Sequence, residues 1–209
     1  MTGNELLGLP ALLVPDGEIG RLAGASNRYE KRLADLAGLY RDGGAFAAAL
    51  VADDGEPVYW VESSTVSDAP GALTVGVSSL RAGTIGDEFA MTRGHIHVVD
   101  GAAELYYGLA GRGVMLMETL DGQHRALEVT PGVAVHVPGG WVHRSVNVGE
   151  ELFSTLFCYG TDAGQDYEVI QRAGGMSTLI VCGADGEWTA RPNPEHRGYQ
   201  RADSPTGAA

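Results

Sequence analysis

Cysteine is scarce in this chain: Cys158 and Cys182 are the only two in 209 residues, and both sit in apolar, strand-like sequence. A disulfide framework therefore does not hold the domain together, and a reducing cytoplasm is the expected compartment. Positive charge is scarce as well, with 14 Lys and Arg against 27 Asp and Glu, a net charge of -13 and an isoelectric point near 4.7. Nucleic acids and anionic membranes reward clustered cations, so both are excluded as partners. A single small anion is not excluded, because one pocket needs only a few local donors. Long hydrophobic runs are also missing. The stretch from Leu6 to Val14 is short, contains Pro10, follows Glu5 and has no basic flank, so it fits neither a signal peptide nor a spanning helix.

What is plentiful is turn chemistry. The 31 glycines and 9 prolines separate many short apolar runs, which favours short strands over long helices and makes all-β the expected class. Strand-like runs recur from Val58-Tyr59-Trp60-Val61 through Leu73 to Val77, Leu105 to Leu109, Gly113 to Met117, Val133 to Val137 and Leu152 to Tyr159, a spacing that suggests a sandwich or barrel. One helix is expected over Tyr29 to Tyr40, where Leu33, Leu36, Ala37, Leu39 and Tyr40 recur at three and four. Ser26 or Asn27 would cap its start, and Asp42-Gly43-Gly44 would mark its end. The length supports one main domain over 58–188, preceded by an extension over 1–57 that carries this helix and packs on the barrel. The segment 189–209 is rich in Pro, Gly and Arg and poor in apolar residues. It reads as a tail that does not order itself, or as an arm lying on another surface.

The segment Thr92-Arg93-Gly94-His95-Ile96-His97 carries the chemistry. His95 and His97 are two apart, so in a strand both imidazoles share one face. Glu104 opens the next strand-like run, and a hairpin through Val99-Asp100-Gly101 would return its carboxylate beside them; His143 would arrive from a separate strand. Three imidazoles and a carboxylate form a mixed nitrogen and oxygen set, which suits one divalent transition metal, Fe, Mn, Ni, Co or Zn, rather than Ca or Mg. His136 alternates within Val133 to Val137 and reads as a core or supporting histidine, His124 and His196 as surface residues, and Trp141 as packing beside His143.

Together with the turns at Gly111-Arg112-Gly113 and Pro131-Gly132, the block Trp141-Val142-His143-Arg144-Ser145-Val146-Asn147 and the segment Asp162-Ala163-Gly164-Gln165-Asp166-Tyr167, these residues resemble the cupin-type glucose-6-phosphate isomerases. The resemblance implies a cupin jelly roll with a short N-terminal helical segment. It implies a metal held by His95, His97, Glu104 and His143, and substrate contacts from Tyr59, Ser78, Thr92, Gly94, Tyr159, Gln165 and Tyr167. It implies a homodimer acting on a sugar phosphate. Ser78 and Gln165 stand where the family has Thr and His, and a glutamine can donate a hydrogen bond but cannot titrate near neutral pH.

Interconversion of glucose 6-phosphate and fructose 6-phosphate moves hydrogen between C1 and C2, either through an enediol or as a metal-assisted hydride shift. Glu104 is the expected base as well as a ligand. Two other readings use the same metal set: a cupin dioxygenase on a different substrate, and a non-catalytic sugar-phosphate-binding cupin.

Overall fold

A computed structural model of the chain describes residues 10–69 and 71–200. Short strands dominate. In chain order they are β1 (Val14–Asp16), β2 (Arg21–Ala23), β3 (Asn27–Lys31), β4 (Tyr59–Thr65), β5 (Leu73–Leu80), β6 (Thr84–Ile85), β7 (Glu88–Phe89) and β8 (Ile96–His97). Then follow β9 (Glu104–Ala110), β10 (Gly113–Thr119), β11 (His124–Val129), β12 (Ala134–Val137), β13 (Trp141–Asn147), β14 (Phe153–Gly160), β15 (Gln165–Asp166), β16 (Thr178–Cys182) and β17 (Trp188–Pro192). Two helices, α1 (Gly43–Ala52) and α2 (Val169–Arg172), complete the list.

A six-stranded sheet in the order β12-β9-β14-β5-β4-β3 faces the three-stranded sheet β11-β10-β13. The sandwich is the all-β architecture expected from the turn-rich sequence. Strand alternation explains it: Val61, Tyr106, Phe153 and Phe157 from the larger sheet meet Met115, Met117 and Val129 from the smaller in one buried cluster. The opposite face of the smaller sheet, with Val114, Leu116, Val142 and Val146, is covered by a second cluster from the chain ends: Leu33, Leu36, Tyr40, Phe46, Ile170, Met176 and Ile180. The sheet recruits β3 from well before Val58, so the strands begin earlier than the sequence pattern indicated.

The expected helix over Tyr29 to Tyr40 is not there. Asn27–Lys31 is a strand paired with β4, with Tyr29 opposite Val61, and only Leu33–Leu36 makes a single 3-10 turn before Gly38 enters the left-handed region at φ 79°. The three-and-four spacing is real, but it serves one turn that inserts Leu33 and Leu36 into the core. The helix starts where it was expected to stop, because Asp42 is its N-cap and its side chain accepts from the Ala45 amide at 2.8 Å.

The segment from Thr189, expected not to order itself if it were a tail, begins inside β17, paired along β16. Beyond it the Arg197 amide donates to the Ala173 carbonyl at 2.8 Å and Tyr199 donates to Glu118, so the described part is an arm on the protein's own surface. Residues 201–209 lie outside the described residues. His136 is exposed on the outer face of the edge strand β12 and is not the core histidine expected. No helix among the described residues is long and apolar enough to cross a membrane.

Candidate metal centre and cavity

The two motif histidines come together as the period of two requires, with ring centroids 5.3 Å apart. Glu104 and His143 join them from β9 and β13. The return of Glu104 is not a paired hairpin: β8 pairs with β15, and β9 pairs with β12 and β14. What closes the turn is the Ala102 carbonyl, 3.0 Å from His97 Nδ1. His95 and His143 form an isolated antiparallel bridge, with the His95 amide 3.0 Å from the His143 carbonyl. One Glu104 oxygen, Oε2, lies 3.0 Å from His143 Nε2, 3.2 Å from His97 Nε2 and 3.5 Å from His95 Nε2. All four side chains are buried, and their four ligand atoms lie within 4.8 Å of one another.

The tautomers decide what this cluster is for. His97 Nδ1 and His143 Nδ1 each sit 3.0 Å from a backbone carbonyl, of Ala102 and Trp141, so the proton belongs on Nδ1 and the Nε2 lone pair faces the carboxylate. Lone pairs facing a carboxylate oxygen repel unless a cation lies between them. His97 Nε2 is within 3.2 Å of Glu104 Oε2 but off the line of a hydrogen bond, which leaves it a buried nitrogen with no hydrogen-bond partner. Burial and the neighbouring His143 push His95 down to about 4, so it stays neutral and able to ligate at neutral pH. Burial acts to raise the Glu104 carboxyl, but any imidazole that presents an N–H or a positive charge to it outweighs burial and holds the group well below the usual carboxylate range. The donor set fits a divalent transition metal.

The cluster forms one end of a cavity of about 310 Å³. Tyr59, Ser78, Thr92, Gly94, Tyr159, Gln165 and Tyr167, singled out in the sequence, all line it with His95, Glu104 and His143; His97 stands behind them. Thr92 lies against β13, where its hydroxyl accepts from the Ser145 amide at 3.1 Å. Gly94 sits at φ 71°, and a Cβ there would lie 2.7 Å from the His143 carbonyl oxygen, so only glycine lets this backbone pass so close to β13. Burial pushes the Tyr59 and Tyr159 phenols up to about 12, and these stay protonated hydrogen-bond donors. Gln165 places Nε2 3.4 Å from His95 Nε2 and accepts from the Tyr167 hydroxyl. Arg93 turns away from the metal cluster, stacking over the Tyr167 ring at 5.7 Å and pairing with Glu168 at 2.7 Å.

Sequence reasoning missed Asn27, Tyr29, Ser63, Tyr106, Arg144 and Ser145, which also line the cavity together with the apolar Val61 and Phe157. Tyr106 and Ser145 sit two residues from Glu104 and His143, and the same-face rule applied along β9 and β13 would have found them. Asn27 and Tyr29 were hidden by the helix expectation.

A family model described as glucose-6-phosphate isomerase matches residues 30–197. The chain belongs to the glucose-6-phosphate isomerase family. Its relatives include "Putative glucose-6-phosphate isomerase 2" of Rhizobium meliloti (strain 1021), 46% identical over 82% of this chain and 86% of the relative. The glucose-6-phosphate isomerase of Sinorhizobium medicae (strain WSM419) is 40% identical over 96% and 92%, and that of Pyrococcus furiosus is 36% identical over 86% and 93%. Among solved structures, a recombinant oxalate oxidase in complex with glycolate aligns at TM-score 0.45 and 18% identity, over 56% of this chain and 59% of its own.

Proposed function

We propose that this family member is a metal-dependent aldose-ketose isomerase that interconverts glucose 6-phosphate and fructose 6-phosphate in the cytoplasm. The observation that carries the reading is the buried set of three histidines and one glutamate in a cavity whose remaining wall is mainly neutral hydrogen-bonding groups, with Val61, Phe157 and the cation Arg144 among them.

His95, His97, Glu104 and His143 would hold the ion, and a bound divalent ion supplies Lewis-acid polarisation of the sugar oxygens at C1 and C2. Thr92, Gly94 and Ser78 offer two hydroxyls and an unhindered amide, donors that hold a phosphate without needing a basic protein. Tyr59, Tyr159 and Tyr167 remain protonated at neutral pH and orient sugar hydroxyls. Gln165, which does not titrate there, orients and does not transfer a proton. Glu104 is held ionised and lines the cavity, so it would take the proton if the reaction passes through an enediol.

The decisive experiment is a coupled isomerase assay with Fe, Mn, Ni, Co and Zn and a chelated control. Turnover restored by one or more metals is expected. Oxygen uptake with Fe(II) on a non-phosphorylated substrate would assign a dioxygenase instead, and ligand-dependent thermal stabilisation without turnover would assign a binding protein. For the base, Glu104→Gln should lower the rate by roughly 10²–10⁴-fold; a near-normal rate at full metal content removes that role from Glu104.

The same reading includes a homodimer. The outer face of the six-stranded sheet presents Leu73, Leu105 and Tyr107, which are 55%, 44% and 41% exposed. Leu105 and Tyr107 lie opposite the half-buried Cys158 and Leu156 of β14, and Leu73 lies on β14's other side opposite Gly160. Such a contiguous apolar stripe marks an association surface. Leu105→Arg should halve the mass seen by light scattering at equal concentration, and an unchanged mass places the interface elsewhere.

A further inference from the structure

Arg144 is a buried cation without a counter-ion. It is 5% exposed and makes no ion pair within 4.0 Å among the described residues, and its Nε has no hydrogen-bond partner. Burial acts to lower its pKa, and Tyr199, Glu118, Tyr40, Glu88 and Tyr59 are the titratable groups that feel its charge. A buried guanidinium left this incompletely paired is costly, so it calls for a use elsewhere.

Strand geometry shows where that use lies. His143 and Ser145 point to the cavity side of β13, and Arg144, between them, points to the opposite face, beside Leu116 in the second core cluster. From there its Nη1 donates to Met91 Sδ at 2.7 Å and its Nη2 donates to the Arg93 carbonyl at 2.9 Å. Both acceptors belong to the segment that carries Thr92 and Gly94. The Arg93 carbonyl and the Gly94 N–H are the two ends of one trans peptide, and in a trans peptide they point in opposite directions. With the carbonyl tied to Arg144 behind the sheet, the Gly94 N–H is turned towards the cavity, where it has no acceptor among the described residues. A charged donor on the carbonyl also polarises the peptide and strengthens the N–H at its other end.

We propose that Arg144 is a positioning residue for anion binding: from behind β13 it fixes and polarises the Arg93–Gly94 peptide so that the Gly94 amide meets the phosphate of the substrate. The inference rests on the sugar-phosphate reading above, and it gives an acidic protein a local positive charge at the phosphate end of the cavity. Arg144 is among the residues that line the cavity, but its guanidinium is engaged by Met91 Sδ and the Arg93 carbonyl and acts through that peptide.

The test uses the metal-loaded, full-length protein and inorganic phosphate as probe. In the unaltered protein, phosphate should shift the Gly94 amide proton downfield in the NMR spectrum, and the shift should shrink in Arg144→Lys, which keeps the charge but not the planar fork. Arg144→Met should weaken 5-phosphoarabinonate by about 10- to 100-fold, the scale of a lost charge-assisted hydrogen bond, and leave arabinonate nearly unchanged, with Arg144→Lys in between. A merely structural role would weaken both ligands alike. If Arg144→Met does not fold, Arg144→Lys and the Gly94 signal still decide the matter. A Gly94 amide that ignores phosphate, or an unchanged ratio between the two ligands, overturns the proposal. Absent turnover with the Gly94 response intact would sink the isomerase reading and leave the anion site standing.

Discussion

Gly94 shows how one residue type can set the geometry of a site. Its φ of 71° lies where other residues pay steric strain, and a Cβ would lie 2.7 Å from both the His143 carbonyl oxygen and Ile170 Cδ1, and 2.9 Å from Arg144 Cβ. Two of those three neighbours are β13 atoms, one of His143 and one of the residue that follows it. Gly94→Ala should therefore cost about 1–3 kcal/mol from the backbone strain, with the crowding adding to it. Urea denaturation would measure the loss, and an unchanged midpoint would mean that this backbone relaxes out of the left-handed region. At this scale the sequence was most informative where chemistry follows spacing: His95 and His97 could only share a face if they lay on extended chain, and they do. Arg144 was illegible, because its importance depends on a carbonyl some fifty positions away that only pairing across sheets brings to it.

The elements were read well where alternation or turn residues marked them, and badly where the period was short. β5, β9, β10 and β14 fall on runs that were visible as strands. The stretch from Tyr29 was misread because a helical spacing of five apolar residues is equally served by a strand, a 3-10 turn and a glycine stop. The C-terminal arm was underestimated for a different reason, since apart from Tyr199, which packs against the core cluster, its order comes from hydrogen bonds. Glu118, fully buried, accepts from the Ser177 amide at 2.7 Å, the Thr178 amide at 2.8 Å and the Tyr199 hydroxyl. His196 Nδ1 lies 2.8 Å from the Gly175 carbonyl, so the arm is tied to the segment that runs on from Tyr167 through α2. Tyr199→Phe removes one of three donors from a buried carboxylate and should cost about 1–3 kcal/mol. Hydrogen exchange should quicken over 169–178 more than over β5. Uniform quickening would show that the arm is not a local tie.

Across the whole molecule, the all-β class was legible from composition, but the order β12-β9-β14-β5-β4-β3 was not, because sheet neighbours far apart in sequence leave no local signature. That long-range order is what gives the metal centre its place in the energetics. His97 comes from β8, Glu104 from β9 and His143 from β13, three strands in three different sheets, while His95 sits on the isolated bridge to β13. A cation bound there crosslinks both halves of the sandwich and relieves lone pairs that otherwise face a carboxylate. A ligand that binds only the folded state stabilises it by about 4 kcal/mol when present at 1,000 times its dissociation constant. For a domain of this size that corresponds to roughly 8–16 °C in Tm. Chelation should lower Tm by an amount of this order, and re-adding the metal should restore it. His143→Ala, in contrast, should melt at one temperature with or without chelator, because the carboxylate then lacks the ligand on the opposite sheet. The comparison separates a true metal crosslink from a nonspecific effect of the chelator: equal shifts in the two proteins would rule out His143 as a ligand. No shift in either would mean that the four side chains hold no ion.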